Sequence, residues 1–456
     1  MSMGKKTEKQ SELFVAHTAL KTSAGHPFYR ALEGILAQHR FDEFAQGLCE
    51  GYYASKRGRP SLAPGVYFRC LLVGFFEGID SERGIAWRVA DSMSLRQFLG
   101  LLLSESPPDH STLSRTRRLL PLEVHQEVFT WVLARLAEDG LVRGKTLGVD
   151  ATTLEANAAM RSIVRRASGE TYQQYLTELA KAAGVETPTR EQLARMDRKR
   201  KKKTSNDDWF NPNDPDAQIT KMKDGRTHLA HKHEIAVDLE TGAVVGTTLS
   251  GGAAGDTDTI SATVADAVDN LEQASETADE DSEANVAEHF SELVADKGYH
   301  SNAVVSVLHD DGIRTYIAEP ARGRRRWQGT NEVRDAIYSN RRRIKGEHGK
   351  QLLRSRGELI ERPFAHLHET GGMRRTHLRG HENILKRLLI HTAAFNLSLM
   401  MRKRLGVGKP RCLQGRHATC DALYDLLMHW ILLWRTALLR LQRFSWELDG
   451  SRLCVK

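Results

Sequence analysis

A chain of 456 residues with 40% hydrophobic content is too long for one ordinary core and apolar enough to pack two or three. Its 66 Lys plus Arg against 58 Asp plus Glu leave a formal charge of +8, and the basic residues cluster, which points to a polyanionic partner. The five cysteines (Cys49, Cys70, Cys412, Cys420 and Cys454) form no CxxC pair, which argues against a thiolate zinc site or a disulfide framework.

The opening MSMGKKTEKQ has no apolar signal core, and residues 1–25 read as a flexible N-terminus. From about residue 27 to 137 apolar positions recur at helical spacing. FYRALEGILAQHRFDEFAQGL puts Phe28, Leu32, Ile35 and Leu36 on one stripe, and LAPGVYFRCLLVGFFEG and SERGIAWRVADSM continue the pattern. Pro107 and Pro108 punctuate it. In DHSTLSRTRRLLP, Ser111 is the expected cap of a short helix carrying Arg115, Arg117 and Arg118, three candidates for DNA contact. This predicts an all-helical domain over residues 26–140, for DNA binding or dimerisation.

At KTLGVDATTLEANAA the texture changes, and Leu147 to Val149 predict a short strand ending at Asp150. Residues 161–225 read as an insertion that begins with helical pieces. Its charged, Asn- and Pro-rich stretch RMDRKRKKKTSNDDWFNPNDPD is expected to be mobile, with Lys201 and Lys202 as a possible DNA arm. HKHEIAVDLETGAVVGTTL predicts a hairpin in which Asp238 serves the turn. His228, His231 and His233 lack a fourth ligand at zinc spacing and read as packing or strand-edge residues. A helix striped by Ile260, Val264, Val268 and Leu271 follows, then an acidic spacer. In ELVADKGYHSNAVVSVL a buried strand, Leu293 to Ala295, stops at Asp296 before a turn at Gly298 and a helix capped by Ser301.

IRTYIAE predicts another strand. Basic segments run from GRRRWQ, with Arg324 and Arg325, to RRRIKGEHGKQLLRSRG, with Arg354 and Arg356, four further candidates for DNA contact. Helices are expected to the end, including a tail over 401–456 whose stripe Leu423, Leu426, Leu427, Trp430, Leu433 and Trp434 suits a core or dimer contact. The run LLMHWILLW within it is about half a bilayer span, so no membrane partner is expected.

The middle of the chain is thus mixed α/β, with Asp150 and Asp296 at the carboxyl ends of short strands, where open α/β sheets bind ligands. On neighbouring strands they would stand about 4.8 Å apart. Two such carboxylates need a shared proton or a hard divalent cation to hold them together. Glu358 and Glu361, in RSRGELIERPFAHL, offer a third acidic group from a later helix.

The stretches LGVDATTLEANAA, LVADKGYHS and GELIERPFAHLHETGGMRRTHLRGHENILKRLLIH resemble DDE transposases of bacterial insertion sequences. SERGIAWRVADSMSLRQFLGL with PPDHSTLSRTRR resembles the helical domain that precedes their catalytic core. The resemblance spans roughly residues 50 to 400. It implies a ribonuclease-H-like mixed sheet flanked by helices over 141–400, with Asp150, Asp296 and Glu361 as catalytic residues and metal ligands. Glu358 is the alternative third ligand. It further implies two Mg²⁺ (or Mn²⁺) ions per active site, cleavage and strand transfer at element ends, and a double-stranded DNA partner contacted also through Arg374 and Arg375. A homodimer and a cytoplasmic, nucleoid-associated location follow from the same likeness. The alternatives are a Mg²⁺-dependent nuclease of the same fold and an inactive DNA-binding relative.

Overall fold

The computed structural model describes residues 25–414 except 55–60, 201–204, 223–224, 279–285, 288, 322–326 and 328–330. Lys201, Lys202, Arg324, Arg325 and the stripe from Leu423 to Trp434 therefore lie outside the described residues. Seven helices come first: α1 (Pro27–Gln38), α2 (Phe41–Cys49), α3 (Pro64–Glu77), α4 (Glu82–Asp91), α5 (Met93–Phe98), α6 (His110–Leu119) and α7 (Leu122–Glu138). The stripe expected over 28–48 is split into α1 and α2 by Arg40, whose φ of 52° no α-helix accommodates. The cap of α6 is Asp109, which accepts the Ser111 amide, rather than Ser111 itself. α3 is buried nearly all round, as its run YFRCLLVGFF requires.

The sheet elements are β1 (Thr146–Glu155), β4 (Gln218–Lys221), β5 (Thr227–Asp238), β6 (Val244–Gly251), β7 (Glu292–Ala295) and β8 (Arg314–Ile317), while β2 (Val164–Arg165) and β3 (Trp209–Phe210) form a separate small ribbon. The main order is β6–β5–β1–β7–β8. β5 is antiparallel to both β1 and β6, whereas β1, β7 and β8 run parallel. β4 extends the outer side of β5 beyond the end of β6. β7 is buried along its whole length, which explains its unbroken Leu293–Val294–Ala295. This is the ribonuclease-H-like mixed sheet flanked by helices that the resemblance implies.

Among the described residues the remaining α-helices are α8 (Tyr172–Ala182), α9 (Arg190–Lys199), α10 (Asp256–Thr277), α11 (Asn302–Asp310), α12 (Asn331–Lys345), α13 (Glu347–Phe364) and α14 (His381–Leu405), with a π-helical turn over Ala365–Thr370. Side-chain alternation assigns α10 and α13 to opposite faces of the sheet. Gly148 in β1 faces Ile360 of α13, whereas Glu234 in β5, opposite Ala151, reaches Thr259 and Thr263 of α10. At Gly246 a Cβ would meet the Ala267 Cβ at 2.9 Å, so this glycine sets how closely α10 approaches β6.

One continuous apolar core runs from Phe28 and Phe68 through Val128 to Leu147, Leu293 and Ala393, so the N-terminal helices are built onto the sheet. α14 is long and apolar enough to cross a membrane, but it lies buried against α3, α7 and β6. There the Asn396 amide pairs with both backbone groups of Val244. The helical pieces expected in the insertion are α8 and α9, and the stretch 195–216, expected to be mobile, carries the end of α9 and β3 among its described residues. Capping boxes at Thr171/Gln174 and Thr189/Gln192 start α8 and α9, which share an apolar contact through Leu176, Ala180 and Leu193. Asp214 ties the insertion to the body by accepting from His231 at 3.2 Å and from the Gly380 amide at 3.1 Å.

Candidate active site

Parallel pairing matches Val149 with Ala295, so the next step of each strand brings Asp150 and Asp296 side by side. Their strands behave differently. β1 does not stop at Asp150 as expected; it continues to Glu155 because the long β5 pairs with it as far as Ala230. β7 does stop, because the Asp296 carboxylate turns back onto the Gly298 amide at 2.7 Å and starts a 3₁₀ turn over Lys297–Tyr299. A Cβ at Gly298 would lie 2.3 Å from an Asp256 carboxylate oxygen and 2.9 Å from one of Asp296, so a side chain there would push these carboxylates aside.

Asp150 accepts from the Ala151 amide at 2.8 Å through Oδ1 and from Arg356 Nη1 at 2.9 Å through Oδ2. Burial raises its pKa above the usual carboxylate range. Arg356 and the amide oppose that shift, and the Asp296 charge reinforces it. Arg356 comes from α13, whose Ile360 and Pro363 are buried. Its Nε is sealed from solvent with no partner among the described residues, an omission that costs about 1–3 kcal/mol.

Helical geometry places Glu361 about 140° round α13 from Arg356 and Glu358 about 160° from it on the far side. Glu361 shares its stripe with Phe364 and His368, and both rings pack on His233, the β5 residue paired with Thr152, two places beyond Asp150. That flank of α13 therefore lies against β5 opposite Thr152, two residues beyond Asp150 on β1. Glu361 is exposed and makes no hydrogen bond or ion pair with the described residues. Glu358 is exposed and paired with Arg362 one turn on. Among the described residues no three His, Cys, Asp or Glu side chains are gathered closely enough to hold a metal. Where the sequence predicts three converging acids, the structure gathers two acids and an arginine.

Behind the carboxylates, on the α10 face, lies a buried network that sequence reasoning missed. The Tyr299 hydroxyl donates to Glu234 at 2.6 Å, and Glu234 also accepts from Thr259 and Thr263. Lys232 sits 2.7 Å from Asp256 and 3.4 Å from Glu234. Burial, reinforced by Glu234, pushes the Tyr299 phenol pKa up. The network anchors the turn that holds Asp296. Its one visible sign is the Lys232 and Glu234 pair alternating with histidines in an otherwise apolar strand.

The remaining sequence candidates scatter. Arg115 and Arg118 are exposed on α6. Arg117, expected to face DNA, is instead buried, bonded to Glu82 at 2.8 Å and to Asn383 at 2.5 Å, because the helix turns it toward α4 and α14. Arg354 is exposed, Arg374 pairs with Glu369 and Arg375 with Glu155. His231 bonds Asp214, His233 bonds His368 and Thr247, and His228 lies 3.8 Å from Glu155. Asp238 is a turn residue, accepting from the amides of Arg143, Gly144 and Glu240.

The adjacent donors are oxygens only, which suits Mg²⁺ or Mn²⁺, and a guanidinium already stands against Asp150 as a cation would. Residues 17–119 match the family described as Transposase domain (DUF772), and residues 182–397 match Transposase DDE domain. The second match contains Asp296 and Glu361 and begins after Asp150. No curated protein and no solved structure matches the chain. With both family regions in order, and with neighbouring acids on the first and fourth core strands of the sheet, the chain belongs to the DDE transposases of insertion elements.

Proposed function

We propose that this transposase cuts DNA at the ends of its element and joins the freed ends to target DNA, using Asp150, Asp296 and Glu361 as its metal-holding carboxylates. The observation that carries the reading is the register that sets Asp150 beside Asp296 where β7 runs out. A bound divalent cation supplies a more acidic attacking oxygen and charge stabilisation of the leaving one. The chain's part is to hold that centre rigidly. Asp150 is fixed by the Ala151 amide, Asp296 by its own turn, and Glu361 swings in from the exposed flank of α13. In the first step water attacks phosphorus, the P–O3′ bond breaks, and the 3′ oxygen leaves as a hydroxyl after taking a proton. In the second step that hydroxyl attacks a target phosphodiester and exchanges one P–O bond for another, so no energy source beyond DNA is required.

Arg115 and Arg118 on α6, with Arg354, Arg374 and Arg375, supply the phosphate contacts. Lys201, Lys202, Arg324 and Arg325 extend the same basic set. A homodimer holds the two element ends together, and the protein works in the cytoplasm on the nucleoid. The test is Mg²⁺-dependent cleavage of the element's terminal DNA by the full chain and by Asp150→Ala, Asp296→Ala, Glu361→Ala and Glu358→Ala. The first three are expected to fall to background while the fourth retains activity. Loss in Glu358→Ala with activity kept in Glu361→Ala reassigns the third ligand. Cleavage without joining of pre-cut ends makes the enzyme a nuclease.

A further inference from the structure

We propose that Arg356 is the resident counter-cation of the Asp150–Asp296 pair, closing the metal site in the metal-free protein and leaving Asp150 when a divalent ion enters. The inference rests on the reading of these carboxylates as metal ligands. Its basis is a contrast among the chain's own arginines. Arg69, buried in the helical region, spends Nε, Nη1 and Nη2 on Glu33 and Asp42. Arg341 grips Glu319 with two bonds of 2.6 and 2.9 Å, and Arg117 uses all three nitrogens on Glu82, Asn383 and Ser114. These are structural clamps. Arg356 makes one bond, to Asp150, and its sealed Nε goes unpaired.

A side chain held at one point, with an unmet donor, is not built to stay. The position it occupies is nevertheless the one that two neighbouring carboxylates most need filled, since without a cation they repel. Its base, by contrast, is fixed. Ile360, one turn on, is fully buried against β1, so release moves the side chain and not the helix. Arg356 is thus a positioning residue that keeps the acids together before loading, and it competes with the ion for Asp150. A latch closed nine-tenths of the time weakens the apparent metal affinity about tenfold, because only the open fraction binds.

The experiment is Mn²⁺ binding by calorimetry to the full-length, metal-stripped protein without DNA, with thermal melting in chelator and in saturating Mn²⁺. Arg356→Gln and Arg356→Ala are expected to bind Mn²⁺ about tenfold more tightly than the wild type. They should melt lower in chelator, with the deficit closing in Mn²⁺. Unchanged or weaker Mn²⁺ binding by both variants, with equal melting deficits in the two conditions, overturns the latch and leaves Arg356 a plain structural residue. Asp150→Asn separates the two levels: if it binds Mn²⁺ like the wild type, the metal assignment itself is wrong. If one substitution at 356 fails to fold, the other gives the reading, and Arg356→Lys, which keeps the charge, is expected to bind Mn²⁺ as weakly as the wild type.

Discussion

Strand β7 is held at both ends by a tyrosine and a glutamate. At its carboxyl end Tyr299 donates to Glu234 at 2.6 Å, and at its amino end Tyr316 donates to Glu292 at 3.0 Å. Both phenols are buried and both acceptors are carboxylates, so Tyr299→Phe and Tyr316→Phe remove the same chemistry from one strand. A hydrogen bond to a charged group contributes about 1.5–3 kcal/mol, and each substitution should destabilise the fold by that amount. Their effects on catalysis should differ. Tyr299 belongs to the turn that aims Asp296, whereas Tyr316, paired with Val294, sends its hydroxyl to Glu292 at the opposite end of β7 from Asp296. If Tyr299→Phe lets the carboxylate drift so that about 1.4 kcal/mol of transition-state stabilisation is lost, cleavage slows about tenfold. The assay pairs urea unfolding with single-turnover cleavage of end DNA at saturating Mg²⁺. Equal losses of stability with a cleavage defect in Tyr299→Phe alone support the anchoring role. Equal cleavage defects in both variants, or none in either, would refute it.

Stability should also fall with acid. His125, His368, His233 and His391 are buried neutral, with burial holding His125 down to about 3 and His368 to about 4 and the other two well below 6.5. Their folded pKa values lie below the unfolded one, so their contribution is complete above pH 6.5 and is lost as pH falls toward 4. Between pH 7 and 5.5 the four together remove up to roughly 5 kcal/mol. Asp266, raised to about 6 by burial, acts in the opposite direction over pH 4 to 6 and offsets under about 1 kcal/mol of this. Urea midpoints at the two pH values measure the slope, and a flat profile contradicts the neutral histidines. On α6, Arg117→Ala should destabilise by about 3 kcal/mol by leaving Glu82 unpaired in the interior, while Arg115→Ala and Arg118→Ala stay within about 0.5 kcal/mol. Each of the latter two should flatten the salt dependence of DNA binding by about 0.9 in log–log slope. A stable Arg117→Ala, or an unchanged slope in the others, counts against this division of roles.

The difference between Asp296 and Asp150 shows what a sequence exposes. The turn after Ala295 is local, Asp-Lys-Gly, and its carboxylate and glycine can be read in place. Where β1 stops depends on how far β5 extends, some 80 residues on, so the local pattern puts Asp150 at a strand end although it sits mid-strand. Helical periodicity marked the buried face of α1, but nothing in it announced the left-handed Arg40. The Arg356–Asp150 bond spans 206 residues, and no spacing rule reaches that far. Among the three arginines of α6, only the packing of α4 and α14 decides which one is interior.

The insertion's architecture bears on how small this enzyme can be made. Val164–Arg165 and Trp209–Phe210 are paired, so the chain enters and leaves the α8–α9 lobe at one doorway. Excising residues 172–199 and bridging the doorway with a short turn uncovers one side of Trp209, where Tyr172 and Tyr175 pack, but leaves its packing on Ala156, Ile163, Ala217 and Leu229 in place. A cut through Asp214 or β4 would instead unseat the start of α14 and bare a strand edge prone to aggregation. The lobe is a detachable cassette, and the segment after it is a keystone.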